Sequence, residues 1–239
     1  MIDLHSHVLP GIDDGTRDLD EAVELGRLAA SCGTRVLAAT PHLRADHPRV
    51  RPSELLGRCE ELNERLAQAN VALEVVPGGE LDLDWIRAAS HQDLQLVSYG
   101  QRGTDLLVET PYGPLPDDFK EVLADLRERG YRLLVAHPER NPTFREGPGR
   151  VAELAEEGIR FQLTARTLIA GVDSPETQRF CEGLIEAGVA HVLASDAHHP
   201  HGADPDLGRA VSGARERLGQ RVEWMATDAP AAILGGEAL

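Results

Sequence analysis

The chain is poor in aromatic residues and has no long apolar run. Aromatic residues make up 4% of its 239 residues, so the hydrophobic 41% must build a core chiefly from Leu, Val and Ala. This composition suits helices packed on a parallel sheet. No segment approaches the length of a membrane span, and the N-terminus carries no basic stretch that would indicate export. We therefore expect one domain, residues 1–239, located in the cytoplasm.

Cysteine is scarce, and acidic residues outnumber basic ones. Cys32, Cys59 and Cys181 are odd in number and widely spaced, which favours free thiols in a reducing compartment over disulfides or a thiolate metal site. The net charge of −16 argues against binding to nucleic acid or to an anionic membrane. Bound divalent cations would offset several carboxylates, so an anionic substrate is still compatible with this charge.

Seven short apolar runs alternate with helical patterns. Short apolar runs bounded by Gly and Pro are typical of buried parallel strands, and Gly often follows the helical segments between them. The alternation predicts an α/β fold, a distorted (β/α)7 barrel resembling a TIM barrel, with its active site at the carboxyl ends of the strands. An open doubly wound sheet is the alternative, but it would use only two or three strand ends. The predicted strands cover residues 2–4, 36–39, 73–76, 106–108, 133–136, 161–163 and 192–194.

Six of these seven runs end at a residue that can bind a metal ion; the exception ends at Thr164. Two pairs, in HSH after the first run and DAH after the last, place both side chains on one side of a strand. Buried Glu109 needs a cation or an Arg beside it. The nitrogen and oxygen donors suffice for two or three divalent ions, with Zn, Mn and Fe(II) all suitable. The candidate ligands are His5, His7, Asp14, His42, Glu80, Glu109, His137, Asp196 and His198.

Two arginines close to candidate ligands could bind phosphate. Arg140 follows His137 by three residues and is the first candidate; its alternative role is an outward ion pair with Glu139 or Asp105. Arg44, just after His42, is the second. The remaining residues near these motifs receive ordinary structural interpretations. Asp13 is expected to form a turn, and surface or structural roles are expected for His47, His91 and His191. His199 and His201 are not expected to bind metal.

The ordered motifs resemble the polymerase and histidinol phosphatase (PHP) superfamily, and within it the bacterial manganese-dependent protein-tyrosine phosphatases of capsule and exopolysaccharide synthesis. They are MIDLHSHVLPGIDDG, TPH at 40–42, GGE at 78–80, VET at 108–110, AHPER at 136–140 and ASDAH at 194–198. The resemblance implies a trinuclear centre held by the nine candidate ligands and attack on phosphotyrosine by a metal-bridging hydroxide. Arg140 would orient the phosphate, and a bacterial tyrosine kinase would be the protein partner.

The sequence departs from this group in one place that concerns phosphate binding. Ala203 stands where a second arginine is usual, so Arg209, His199 or His201 would have to replace it, and Thr164 stands where Asn is frequent. A small phosphoester such as histidinol phosphate is the alternative substrate. A nuclease is disfavoured by charge, and an amidohydrolase by the position of the single lysine, Lys120, in a helix. A metal-loaded protein that binds phosphotyrosine without cleaving it is the non-enzymatic alternative.

Overall fold

The computed structural model describes residues 1–201 and 206–239. Short strands alternate with helices along this part of the chain, as the sequence predicts. Its nine strands are β1 (Ile2–Asp3), β2 (Val36–Ala39), β3 (His42–Leu43), β4 (Glu74–Pro77), β5 (Glu80–Leu81), β6 (Asp105–Val108), β7 (Arg132–Ala136), β8 (Arg160–Thr164) and β9 (Val192–Ala194).

Eleven α-helices and four 3-10 helices of the described residues connect and cover these strands. None of them is long and apolar enough to cross a bilayer. The 3-10 helices are Pro52–Glu54, Tyr99–Gln101, Pro138–Arg140 and Ala165–Leu168. The α-helices are α1 (Leu19–Ser31), α2 (Leu55–Gln68), α3 (Leu83–Ala88), α4 (His91–Val97), α5 (Phe119–Glu128), α6 (Pro142–Glu146), α7 (Gly149–Glu156), α8 (Pro175–Glu186), α9 (Leu207–Leu218), α10 (Arg221–Trp224) and α11 (Asp228–Gly235).

All strand pairs are parallel and form two sheets, in the orders β1-β2-β4 and β3-β5-β6-β7-β8-β9. Two chain segments pass from one sheet to the other: β2 continues into β3 after Thr40-Pro41, and β4 into β5 after Gly78-Gly79. Gly79 suits this crossing because a Cβ there would lie 2.5 Å from Leu43 Cδ2 and 3.0 Å from Val97 Cβ, so a larger residue would displace these side chains. Counted as segments, the strands are the seven that the apolar runs predict, and the parallel α/β fold is confirmed.

The first and last strands also meet. Ser6 and Ala197 form an isolated parallel bridge, His7 N–H donates to the Ala197 carbonyl at 2.8 Å, and Asp196 N–H donates to the His5 carbonyl at 2.8 Å. These contacts join HSH to DAH beyond the carboxyl ends of β1 and β9.

At the opposite ends of the same two strands, a different segment fills the space. Ile2 N–H donates to the Ala226 carbonyl at 2.9 Å, and Leu193 N–H donates to the Met225 carbonyl at 3.0 Å. The segment between α10 and α11 therefore separates β1 from β9 there. The sequence patterns did not predict α10 and α11.

Local signals explain the longer helices well. Asp18 caps α1 by accepting Glu21 N–H at 2.9 Å, and the helix buries Ala22, Leu25 and Ala29 on one face before ending near Gly33 at φ 94°. Such a cap contributes about 1 kcal/mol. The same helical spacing of apolar residues buries one face of each long helix on the sheet and leaves the carboxyl ends of the strands for polar side chains.

Candidate metal centre

The nine predicted ligands meet at the carboxyl ends of the strands. Four overlapping groups bring their ligand atoms within 4.8 Å of one another. Because neighbouring ligands of one ion lie only a few ångströms apart, such groups have the size of metal sites. We call the nine residues the donor cluster. The groups are His7, Asp14, His42 and His198; His5, His137 and Asp196; His5, His7 and Glu80; and His42, Glu80 and Glu109.

Glu80 lies at the centre of the donor cluster and is completely buried. Its Oε1 accepts His137 Nε2–H at 2.8 Å. Its Oε2 lies 2.9 Å from His42 Nδ1, 3.3 Å from His5 Nε2 and 3.5 Å from His7 Nε2. Burial opposes ionisation, but His5, the hydrogen bond from His137 and the nearby His42 hold the pKa of Glu80 well below its ordinary value. The ionised carboxylate of Glu80 therefore belongs to two of the four groups, one with His5 and His7 and one with His42 and Glu109.

Asp196 is the second carboxylate that faces both histidines of HSH. Its Oδ1 lies 3.2 Å from His5 Nε2 and 3.3 Å from His7 Nε2. Its Oδ2 accepts a hydrogen bond from Arg140 Nη2. Burial raises its pKa, but His5, His7 and Arg140 outweigh burial and leave the pKa well below the ordinary value.

Two residues of the donor cluster occupy a backbone conformation that L residues rarely adopt. His137 has φ 35° and Asp196 has φ 55°, both at the ends of buried strands. A non-glycine residue in the left-handed region costs about 1–3 kcal/mol unless its surroundings hold it there. At both positions the strand turns sharply as it ends, and this turn directs the side chain into the donor cluster.

The rim of the cluster is formed by Asp14 with His42 and His198. Asp14 Oδ1 lies 3.6 Å from the Nε2 atoms of both histidines, and half of its side chain is exposed. The rings of His7 and His198 stack with 4.0 Å between centroids. The site is thus buried at Glu80 and open to solvent at Asp14.

Asp13 and Gln162, which the sequence motifs did not indicate as site residues, orient His7 and His5. His7 Nδ1–H donates to Asp13 Oδ2 at 2.8 Å, and the same oxygen accepts His42 N–H at 3.2 Å. His5 Nδ1–H donates to Gln162 Oε1 at 2.9 Å. The turn predicted for Asp13 exists, since its Oδ1 accepts Gly15 N–H at 3.1 Å. Asp13 has a second role, because its Oδ2 also orients His7. The signal for Gln162 was a polar residue inside a buried strand.

These hydrogen bonds give a test of whether the residues fit metal ions. With Nδ1 donating, Nε2 of His5 and of His7 presents a lone pair, and these buried atoms have no hydrogen-bond partner. Buried Glu80 Oε2 has none either. Such atoms facing one another require a cation or a proton between them. Metal-binding histidines characteristically donate their other N–H to an oxygen, as both do here. The donor set therefore fits divalent ions.

Glu109 has the arginine that its burial demands. Arg44 Nη1 donates to Glu109 Oε1 at 3.0 Å, and Arg44 Nε donates to Asp46 at 2.7 Å. Burial and the nearby Glu80 raise the pKa of Glu109 to about 7, against the opposing effects of His42 and Arg44. Arg44, predicted as a phosphate-binding residue, therefore lies beside the donor cluster and is paired with Glu109.

Arg140 points into the donor cluster. Besides Asp196, its Nη2 reaches Thr164 Oγ1 at 3.4 Å. The alternative partners are engaged elsewhere: Asp105 accepts from Arg132 at 2.6 Å, and Glu139 Oε1 accepts Thr164 N–H at 2.8 Å. The outward ion pair considered for Arg140 is therefore not formed with either residue.

The other histidines lie outside the four groups. His47 stacks on His42 at 5.3 Å, and His191 is buried and accepts Phe161 N–H at 3.3 Å. His199 lies 4.0 Å from Glu21, and His201 stacks on His199 at 6.4 Å. Ala203 falls among residues 202–205, outside the described residues, so the replacement for a second arginine remains a prediction.

The sequence matches known proteins along almost its whole length. Residues 1–235 match the family described as "Capsular polysaccharide synthesis, CpsB/CapC". The tyrosine-protein phosphatase YwqE of Bacillus subtilis (strain 168) is 33% identical over 231 residues, which cover 95% of this chain and 89% of that protein. The putative tyrosine-protein phosphatase CapC of Staphylococcus aureus is 28% identical over 204 residues, covering 83% and 77%.

Solved structures give the same picture. One match is described as crystal structures of YwqE from Bacillus subtilis and CpsB from Streptococcus pneumoniae, unique metal-dependent tyrosine phosphatases. It has a TM-score of 0.89 and 29% identity over 100% of this chain and 96% of that chain. The lactonase Lmo2620 from Listeria monocytogenes shares the fold alone, with a TM-score of 0.59 and 12% identity over 98% and 94% of the two chains.

Proposed function

Because the chain belongs to the capsular polysaccharide synthesis family CpsB/CapC, we propose that it is a metal-dependent protein-tyrosine phosphatase. Membership of the family confirms the resemblance seen in the ordered motifs. The observation that carries the proposal is the buried donor cluster with Arg140 bound to its Asp196. Nitrogen and oxygen donors beside a guanidinium suit the hydrolysis of a phosphate ester.

The nine residues of the donor cluster are proposed to hold two or three divalent ions, with Mn as the first candidate and Fe or Zn as alternatives. When bound, such ions lower the pKa of water and neutralise charge on the phosphate. Glu80 and Asp196 are the proposed shared ligands, because each lies within 3.5 Å of both His5 and His7. Asp13 and Gln162 are proposed to keep those two rings in one orientation.

Two guanidinium groups are proposed to act on the phosphate. Arg140 would bind the phosphoryl oxygens and stabilise their charge as the ester bond breaks, since it already lies against the donor cluster. Arg44 has the lesser role and also orients Glu109. No thiol takes part in this scheme: burial raises the pKa of Cys59 to about 12 and also raises the pKa values of Cys32 and Cys181, so all three stay protonated.

The proposed substrate is a phosphotyrosine protein, with a bacterial tyrosine kinase of capsule synthesis as the expected partner. This follows from the names of the relatives, which are tyrosine-protein phosphatases. A small phosphoester such as histidinol phosphate is the competing substrate. We further propose that residues 1–239 act as one PHP-type domain, since strands of both sheets supply ligands, and that it works in the cytoplasm, where its three free cysteines would stay reduced.

The decisive experiment measures phosphate release from a phosphotyrosine peptide and from histidinol phosphate, with Mn²⁺ added to metal-free protein. We expect Mn-dependent release that is faster from the peptide and is abolished by His137→Ala. The exposed His91, which contacts Tyr131, provides the matched control, and His91→Ala is expected to retain activity. Faster release from histidinol phosphate would contradict the phosphotyrosine assignment and favour a small phosphoester as the substrate. No release from either compound, with metal shown to be bound, would refute the phosphatase.

A further inference from the structure

Three clefts lie in a row beside the donor cluster. The inner cleft, about 400 Å³, is lined by the ligand Glu109 with Arg44 and Tyr112. The central cleft, about 490 Å³, shares Tyr112 with the inner one and is lined by Arg140 and Arg145. The outer cleft, about 450 Å³, shares Arg145 with the central one. A small molecule fills one such volume. A row of clefts with common walls suits an extended chain.

The central cleft is positively charged although the protein is acidic. Arg140, Arg145 and Arg166 line it, and the only carboxylates among its described lining residues are Glu139 and Asp173. Glu139 is buried and accepts a backbone N–H of β8, while Asp173 lies 3.6 Å from Arg166 Nε. Arg140 is already paired with Asp196 of the donor cluster and Arg166 lies near Asp173, so Arg145 supplies the positive charge of this cleft that no carboxylate of the described residues pairs with, in a chain of net charge −16. The cleft therefore attracts anionic groups.

Arg145 carries the charge that is most available to a ligand. Its side chain is exposed, and it makes no ion pair with any residue of the described chain. By contrast, Arg140 is bound to Asp196 and Arg166 lies near Asp173. A carboxylate of a ligand could therefore pair with Arg145 without breaking an existing ion pair.

A buried asparagine fixes the walls of the central cleft. Asn141 Oδ1 accepts Thr143 N–H at 2.9 Å and so caps α6, the helix that carries Arg145. Its Nδ2 donates to the Pro111 carbonyl at 2.7 Å and to the Gly113 carbonyl at 2.8 Å. These two residues flank Tyr112. One side chain thus holds the Tyr112 loop and the start of α6 together, so both walls are built before a ligand arrives.

We infer that the central cleft binds an acidic side chain of the substrate polypeptide, a few residues from the phosphotyrosine that reacts at the donor cluster. The inference rests on the proposed function and names the sequence that the enzyme prefers. The neighbouring outer cleft carries Glu146 and Glu176, so the acidic preference belongs to the central cleft alone. Because every second side chain of an extended peptide points to the same side, the second position from the phosphotyrosine is the first candidate for the preferred acid, and the third position is tested beside it.

The test compares two phosphotyrosine peptides that differ only in Glu or Gln at the second and third positions on both sides of the tyrosine. We expect the Mn-loaded wild-type protein to favour the Glu peptide about 1.5-fold to fivefold in kcat/KM, the usual range for a pair of exposed charges. The preference is expected to fall in high salt. Peptides with Glu on one side only then identify the direction in which the substrate chain runs.

Arg145→Gln is expected to bring the ratio of the two kcat/KM values close to one. This ratio does not change when a variant merely loses activity in general. Arg145→Glu, with Lys in place of Glu in the peptide, is expected to invert the preference. Arg150→Gln is the matched control, since Arg150 is exposed on α7 and lines none of the three clefts, and its ratio is expected to equal that of the wild type.

Equal rates for both peptides in the wild type would overturn the inference and leave the phosphatase intact. A preference that survives in Arg145→Gln would overturn it too, because the acid would then bind elsewhere. If neither peptide nor p-nitrophenyl phosphate is hydrolysed while metal is bound, the proposed function itself fails. The small ester thus separates failure of the chemistry from failure of the specificity site.

Discussion

The donor cluster and the central cleft lie side by side but differ in burial and in how their charges are held. Glu80 and His5 are fully buried, and each is fixed by a neighbour within 3.0 Å. Arg145, in the cleft, is exposed, and its side chain makes no hydrogen bond or ion pair with any of the described residues. In a buried site a misplaced charge is costly, so the geometry is over-determined. On the rim, charge interactions are weak and screened, which suits recognition of a side chain rather than chemistry.

The largest expected effect comes from the buried region. Asp196→Asn removes a charge shared between His5, His7 and Arg140, and we expect kcat for a phosphotyrosine peptide to fall roughly a hundredfold to a thousandfold. Asp117→Asn is the control, because Asp117 is exposed and outside the site. Steady-state kinetics with metal content measured in the same samples provides the check. An Asp196→Asn protein that binds its full complement of metal and keeps the wild-type kcat would contradict a role for Asp196 in the metal centre.

Metal removal should destabilise the buried region more than any change on the rim. Without cations, carboxylates and histidine lone pairs face one another in a dry site, whereas ligand binding to the folded state stabilises it. At a hundredfold excess over Kd the gain is about 2.7 kcal/mol, or about 5–10 °C in Tm for a chain of this size. Calorimetry with chelator and then with Mn²⁺ measures it. An unchanged Tm would contradict a buried metal centre.

Asp13 offers a smaller and more specific test. Asp13→Asn weakens the hydrogen bond that orients His7, so we expect metal affinity to fall about tenfold to a hundredfold while the fold is kept. Isothermal titration with Mn²⁺ measures the affinity, and circular dichroism checks the fold. Asp20→Asn, at an exposed position of α1, is the control. Equal affinities in the two variants would show that Asp13 only forms a turn.

His191 shows what a buried histidine does without carboxylate neighbours. Burial, with Arg160 and Arg221 adding to it, lowers the pKa of His191 to about 4, whereas Glu80 and Asp196 raise the pKa of His5. Between about pH 6.5 and pH 4 the unfolded chain binds the proton and the folded chain does not. Protonation of the unfolded chain at this group therefore leaves stability unchanged above about pH 6.5 and lowers it as the pH falls towards 4, by about 3 kcal/mol.

Urea unfolding of the wild type and of His191→Asn, both with chelator, isolates this effect. Asn can still accept the Phe161 N–H but does not titrate. The free energy of unfolding of the variant is expected to fall less between about pH 7 and about pH 4.5. Parallel pH profiles for the two proteins would mean that His191 is not held neutral.

Much of the fold and of the site follows from short-range patterns. An apolar run of three to five residues predicts a buried strand wherever it stands, and the residue after it falls at the carboxyl end. This is why most residues of the donor cluster could be named from the runs alone, whereas Asp14 lies in the Gly-rich loop PGIDDG and not at the end of a run. Helices that the patterns did not predict, such as α3, α6, α10 and α11, have at most eight residues, too few for a clear apolar period.

By itself, the sequence determined which residues end the strands and therefore which side chains reach the site, because side-chain direction alternates along a strand. Only the tertiary structure decided how they are held. Gln162 reaches His5 across 157 positions of the chain, and Arg140 turns towards Asp196 across 56. The left-handed backbone of His137 is likewise imposed by its surroundings. Such contacts depend on packing between distant segments, and no local pattern of residues encodes that packing.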